Sequence, residues 1–178
     1  MTAHRLMSGG AEFRGMDEEK RQASFVASTE NPVQTWGGPE VLRMKGARLG
    51  RFRKNPVVLD SHNRHDLASV IGKAEVKVEG RELHTTITYA PTERGELAWS
   101  LVRDGFVRAV SVGYSINPLK VKRLREGEHD GSGDSRVEGP ATVVGEWELH
   151  EISNVPVPAD ADAVKRDFYD SLAVSESD

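Results

Sequence analysis

Three separated segments carry side chains whose combined chemistry is acyl transfer. NPVVLDSHNRHD, residues 55–66, offers an imidazole at His62. DGFVRAVSVGYSI, residues 104–116, offers a hydroxyl at Ser111. WELHEISNVPVPADADA, residues 147–163, offers a carboxylate at Glu148 or Glu151. A serine hydroxyl is a weak nucleophile until a neighbouring base takes its proton, and that base works best when a third group orients it. Each of the three types lies beside an apolar, strand-like run, so each is expected near a strand end.

Every one of these residues also has a plainer reading. In a strand, Ala109, Ser111 and Gly113 share one face, and Val110, Val112 and Tyr114 share the other. The Val/Tyr face reads as core. The small face admits a second backbone or a substrate, which suits a nucleophile and equally suits a serine that only permits packing. His62 and His65 are spaced i, i+3, and on one helical turn two imidazoles can share a metal ion, with Asp66 beside them. Pro56 and the β-branched run argue against a helix there, and Asn63 and Asp66 suggest a turn. A single general base at His62, closer to the strand end, is the stronger reading; a surface histidine remains open for either. In WELHEIS, alternation puts Glu148, His150 and Ile152 on one face and Leu149, Glu151 and Ser153 on the other. A carboxylate beside His62 would hold the imidazole tautomer and stabilise the imidazolium. A solvated edge strand of alternating charges is the competing reading.

The composition limits what can position these groups. The chain has 178 residues, 37% hydrophobic and 29% charged, which suits one domain with a modest core. No apolar run approaches the roughly 20 residues needed to span a bilayer. The start, MTAHRLMSGGAEFRGMDEEKR, lacks the apolar stretch of a signal peptide, so secretion is not expected. The absence of cysteine removes disulfides, thiolate nucleophiles and Cys-type zinc sites together. A net charge of −4 without a dense basic block disfavours nucleic acid as a partner. No cofactor and no metal are expected, and no membrane.

Residues 1–20 read as a flexible lead and residues 21–27 as a first strand. Residues 28–40 (STENPVQTWGGPE) carry loop signals. Residues 41–54 suggest a short helix broken at Gly46, or a loop. Val57, Val58 and Leu59 form a buried strand ending near His62. Two alternating runs, residues 69–80 and 82–90, read as a hairpin around Glu79-Gly80. Thr92 can cap a helix with Leu97, Ala98, Leu101 and Val102 on one face, Gly95 as a mild cost and Gly105 as the C-terminal glycine. Residues 106–116 and 141–158 are strand-like, and residues 125–140 read as a mobile loop or hairpin tip. The tail from Ala161 suggests a short helix and then acidic disorder. This gives a lead (1–20), one domain (21–164) and a helix/acidic tail (165–178). The class is α+β and β-rich: a mostly antiparallel closed β-barrel flanked by a few helices.

Taken in order, FVAST (residues 25–29), RFRKNPVVL followed by HNR, IGKA, a helix ending LVRDG, AVSVGY and WELHEISNVPVPAD resemble the tailed-phage prohead (procapsid maturation) serine protease family. The likeness spans about residues 23–164, and the motifs are specific as an ordered set. It implies a serine endopeptidase acting in the host cytoplasm inside the immature capsid. Its substrates would be the scaffold or delta segments of the major capsid protein, and the enzyme itself. It also implies a fold like the herpesvirus assembly proteases, with a homodimer by analogy. Carried over by motif, Ser111 is the nucleophile, His62 the base and Glu151 the third member, with Glu148 and His150 as alternatives. Two departures stand out: Asp60-Ser61 precedes the histidine, and a few extra residues, including His65, separate His62 from Ile71-Gly72. Two other functions compete, a non-catalytic capsid-assembly or scaffold-binding module and a metal-dependent hydrolase using His62, His65 and Asp66.

Overall fold

Strict alternation between Glu82 and Tyr89 sends Leu83, Thr85, Ile87 and Tyr89 inward, all buried. That strand folds back on Val70–Glu79 around Gly80, whose φ of 57° fits the tight turn. The structure, a computed structural model, describes residues 15–165. Their order is β1 (Met16–Asp17), β2 (Gln22–Thr29), β3 (Val33–Thr35), β4 (Gly38–Leu42), β5 (Ala47–Arg48), α1 (Gly50–Lys54), β6 (Val57–Asp60), β7 (Val70–Glu79) and β8 (Glu82–Tyr89). Then come α2 (Glu93–Arg103), β9 (Ala109–Ile116), β10 (Val121–Leu124), β11 (His129–Asp130), β12 (Val137–Glu138), β13 (Ala141–Val144) and β14 (Trp147–Val155).

The main sheet runs β1-β2-β8-β7-β6-β14-β5, and β9 lies on the other side of β14. Its pairs are antiparallel except that β14 runs parallel to β5 and to β6. Phe52 of the intervening α1 is fully buried. A smaller sheet, β10-β13-β4-β3, covers a second cluster of Val41, Leu124, Val137, Ala141 and Val143. The large core gathers Phe25, Phe52, Ile71, Leu83, Ile87, Val110, Trp147, Leu149 and Ile152, among others. The class is therefore α+β and β-rich.

Several expectations need correction. Direct strand pairing does not close a barrel among the described residues. Instead the chain after β14 lies against β2 and β9 at once. Val26 N–H donates to Val164 O at 3.0 Å, Val110 N–H to Ala163 O at 3.0 Å, and Lys165 N–H to Arg108 O at 2.6 Å. Residues 161–165 are thus turn and bridge, where a helix from Ala161 was expected; the rest of that stretch lies outside the described residues. Residues 28–40 hold the end of β2, all of β3 and the first part of β4, with β3 and β4 paired, because Gly37-Gly38 turns the chain and Thr35 Oγ1–H donates to Gly38 O at 2.8 Å. Residues 41–54 contain a single 3₁₀ turn, β5 and α1, so the chain is helical on both sides of Gly46 only briefly. Of the expected lead, Met16–Asp17 pairs with β2, and residues 1–14 lie outside the described part.

Helix α2 forms where predicted. Thr92 Oγ1 accepts Gly95 N–H at 3.2 Å, and Gly105 has φ 81°. Its buried stripe differs, however: Gly95, Trp99 and Val102 face inward while Leu97 is exposed. Gly95 is the reason. A Cβ there would collide with Ala90 O and press on Ile71 O at 3.1 Å, so the missing side chain lets α2 sit down on the sheet. Trp99 then packs on Tyr89 with ring centroids 5.6 Å apart.

The segment closing the gap between β2 and β9 hangs on Asp160. Its Oδ2 accepts Thr29 N–H at 2.7 Å and Thr29 Oγ1–H at 2.9 Å, and its Oδ1 accepts Asp162 N–H at 3.0 Å. Asp160 and Thr29 are both buried. Asp160→Ala leaves these donors unmatched and should destabilise the protein by about 2–3 kcal/mol, read as a lower urea midpoint at unchanged slope. A midpoint equal to wild type would show that the segment does not depend on this carboxylate.

Candidate active site

Strand β6 ends at Asp60, paired with Asn154 of β14. Ser61 and His62 then both take left-handed backbone, φ 50° and 62°, and Asn63 N–H donates to Asp60 O at 3.0 Å. Positive φ at both central residues is the signature of a type I′ turn. For residues with a side chain this backbone costs roughly 1–2 kcal/mol each, so the turn must be held from outside. Strand β14 holds it twice: Ser61 N–H donates to Asn154 O at 3.1 Å, and His62 N–H donates to Ser153 Oγ at 3.0 Å. These anchors carry the imidazole over β14.

A bulge prepares β14 to receive it. Against β9, pairing passes from Leu149–Tyr114 directly to Glu151–Gly113, leaving His150 as the extra residue. Leu149 and Ile152 can therefore both enter the core, and Glu151 and Ser153 turn to the opposite face. Uninterrupted alternation had grouped Leu149 with Glu151 and Ser153; the bulge separates them.

Glu151 Oε1 accepts from His62 Nδ1 at 2.7 Å and from Arg64 Nη2 at 3.2 Å, and Oε2 accepts from Ser153 Oγ at 2.8 Å. The carboxylate side chain is only 3% exposed. Burial by itself pushes its pKa up. The hydrogen bonds from His62 and Ser153, the charge of His62 and the hydrogen bond from Arg64 outweigh burial and hold it below the ordinary glutamate range. An ionised carboxylate can only accept, so Nδ1 carries a proton, and in the neutral imidazole this leaves the lone pair on Nε2. Among the described residues Nε2 has no hydrogen-bond partner.

Ser111 stands directly opposite Ser153 in the β9–β14 ladder. Val110, Val112 and Tyr114 face the core, and the Tyr114 ring meets Trp147 at 5.8 Å. Opposed residues place their Cβ atoms about 4.5–5.5 Å apart on one face. The Ser111 side chain therefore neighbours the same Ser153 Oγ that accepts the His62 amide. Imidazole and hydroxyl share a face, although the two are not hydrogen-bonded to each other. The Ser111 hydroxyl is partly exposed and makes no side-chain hydrogen bond within the described residues.

The other candidates lie elsewhere. His150 Nε2 is 3.0 Å from Ser115 Oγ and 3.6 Å from Glu148, and Glu148 also meets Arg51 at 3.5 Å. Ser115 is four residues along β9 from Ser111, about 13 Å in a strand. His65 is exposed, and Asp66 accepts Ala68 N–H at 2.9 Å as the cap of a 3₁₀ turn. Among the described residues no three His, Asp or Glu side chains converge as a metal site. The ligand set His62, His65 and Asp66 is not assembled: His62 turns to Glu151, His65 is exposed and Asp66 caps the 3₁₀ turn.

Three further residues complete the site; of these, sequence reasoning gave only Gly113 a part, as a bare position on the small face of β9. Ser153 bonds both Glu151 and the His62 amide. Arg64 shares the carboxylate oxygen with His62. Gly113 lies beneath them, where a Cβ would fall on Glu151 Oε1 and the Arg64 guanidinium. Spacing had put Ser153 on the face of Glu151, but no signal distinguished a buried hydroxyl partner from a small packing residue. The assembled groups can take a proton from a nearby hydroxyl at Nε2 and stabilise the resulting imidazolium.

Residues 45–173 match the family of caudovirus prohead serine proteases. A capsid polyprotein of Pseudomonas phage PAJU2 is 29% identical over 159 residues, covering 85% of this chain and 20% of the relative. A major capsid protein of Halomonas phage phiHAP-1 is 30% identical over 138 residues, covering 75% of this chain and 21% of the relative. The chain thus spans about a fifth of the length of these relatives. No solved structure matches it, so a fold shared with the herpesvirus assembly proteases is not established.

Two outcomes follow from this geometry. Gly113→Ala should cost about 1–3 kcal/mol by thermal unfolding, because Glu151 and Arg64 must give way. It should also broaden or remove the downfield Nδ1–H resonance of His62; an unchanged melting point and resonance would refute the crowding. The second outcome concerns acid. The folded carboxyl of Glu151 sits below its unfolded value, so its contribution to stability is complete above the ordinary glutamate range and is lost as pH falls through the folded value. Glu151→Gln should therefore lose less stability than wild type between about pH 6 and pH 3, measured by urea unfolding. Equal losses would show that Glu151 is not held ionised.

Proposed function

We propose that this chain, which belongs to the caudovirus prohead serine protease family, is a serine endopeptidase with Ser111 as nucleophile, His62 as base and Glu151 as the group that orients it. One observation carries the assignment: the 2.7 Å hydrogen bond from His62 Nδ1 to Glu151 leaves Nε2 open on the face that presents Ser111. Ser111 Oγ attacks the scissile carbonyl carbon as its proton passes to Nε2. The tetrahedral adduct collapses, and His62 returns that proton to the leaving amine. Water, deprotonated by the same nitrogen, then hydrolyses the acyl-enzyme. Glu151 keeps the imidazole in the required tautomer and balances its positive charge in both steps.

The relatives bear the names capsid polyprotein and major capsid protein, which supports capsid-protein segments as substrate. Scaffold or delta-type segments and the chain itself are the stretches it would cleave, inside the immature capsid.

The test pairs labelling with processing. A serine-directed fluorophosphonate should mark the wild-type chain and spare Ser111→Ala. Co-expressed capsid protein should be shortened by wild type and stay full length with Ser111→Ala or His62→Ala, each losing about 10⁴-fold or more in rate. Capsid processing at the wild-type rate by Ser111→Ala would end this reading. A chain that binds capsid protein and never cleaves it would instead be an assembly module.

A further inference from the structure

The hydroxyl of Ser153 has one proton and two lone pairs, and the site uses both kinds. Its proton goes to Glu151 Oε2 at 2.8 Å, and one lone pair takes His62 N–H at 3.0 Å. The residue is fully buried, so water has no access to replace either bond. It thus joins two parts, each of which is anchored elsewhere on one side only. One is the rotamer of the carboxylate, whose other oxygen is divided between His62 and Arg64. The other is the left-handed backbone at His62, a conformation that does not persist without support. Ser153 also faces Ser111 across the ladder, so both ends of the relay are measured from one side chain.

We propose that Ser153 is a positioning residue for the proposed hydrolysis: its hydroxyl ties the amide of His62 to the carboxylate of Glu151 and so sets the imidazole on the face of Ser111. This rests on the reading of Ser111, His62 and Glu151 as the reacting set. Ser153 itself touches neither substrate nor the transferred proton. In Ser153→Ala the carboxylate loses the bond to one oxygen and the His62 amide loses its acceptor, while the strand pairing is untouched.

Two measurements separate positioning from packing. The first is steady-state cleavage of a peptide by Ser153→Ala and by Ser153→Cys, the latter filling the space with a poor donor. Both should lower kcat roughly ten- to a hundredfold and leave KM unchanged. The second is the carboxyl titration of Glu151 by NMR in the Ser111→Ala chain, which does not digest itself. Glu151 should titrate below the ordinary glutamate range, and adding Ser153→Ala or Ser153→Cys should move its midpoint upward. An unchanged titration, an unchanged kcat, or a loss confined to KM overturns the role of Ser153. Absence of any cleavage by wild type sinks the protease reading instead, and the titration then decides Ser153 alone.

Discussion

A carboxylate taken out of water must have its oxygens filled by donors, and Glu151 is the group in this protein on which that requirement bears hardest. It is nearly sealed from solvent and remains ionised. The donors come from different parts of the chain: an imidazole and a guanidinium from the turn after β6, and a hydroxyl from β14 itself. Each is thereby constrained in turn. The imidazole must carry its proton on Nδ1, and position 113 must be bare of side chain. An arrangement that satisfies the buried charge is, for the same reason, one that occupies Nδ1 of the imidazole and leaves Nε2 without a partner among the described residues.

Two local departures from regular structure make this possible, and each works against the intrinsic preference of the chain. The β14 bulge spends one residue, His150, to reverse which side chains face the core. Without it, a strand that buries Leu149 would expose Ile152 and send Glu151 inward. The I′ turn puts two residues with side chains into left-handed backbone. It is held by hydrogen bonds to β14 and not by its own composition, so the strained element and the bulged one stabilise each other.

The rest of the fold solves comparable problems with comparable parts. Glu30, also buried, accepts Met44 N–H at 2.8 Å and Arg43 at 3.0 Å. Arg43, which directly follows β4 of the smaller sheet, continues to Asp130 of β11 at 2.8 Å, so the end of β2 is tied to both. Asp160 does the same for the segment lying between β2 and β9. Buried carboxylates thus fix the joints of this β-rich fold, and of Glu30, Asp160 and Glu151 it is Glu151 that has an imidazole among its donors. That difference separates a structural carboxylate from one that can serve acid–base chemistry.

Residue order alone was enough to mark the hairpin of β7 and β8, the position of α2, the core face of β9 and the three segments that hold Ser111, His62 and Glu151. These depend on periodicity, capping and side-chain type, which are local properties. It was not enough to choose Glu151 over Glu148, to rotate α2 by its glycine, or to give Ser153, Arg64 and Gly113 their places. A bulge changes strand phase without any composition signal at His150. A backbone approach that forbids a Cβ is visible only from the other side of the contact. Register between β9 and β14, and the reach of the turn after β6, are relations between distant segments, and pairing in three dimensions is where they were decided.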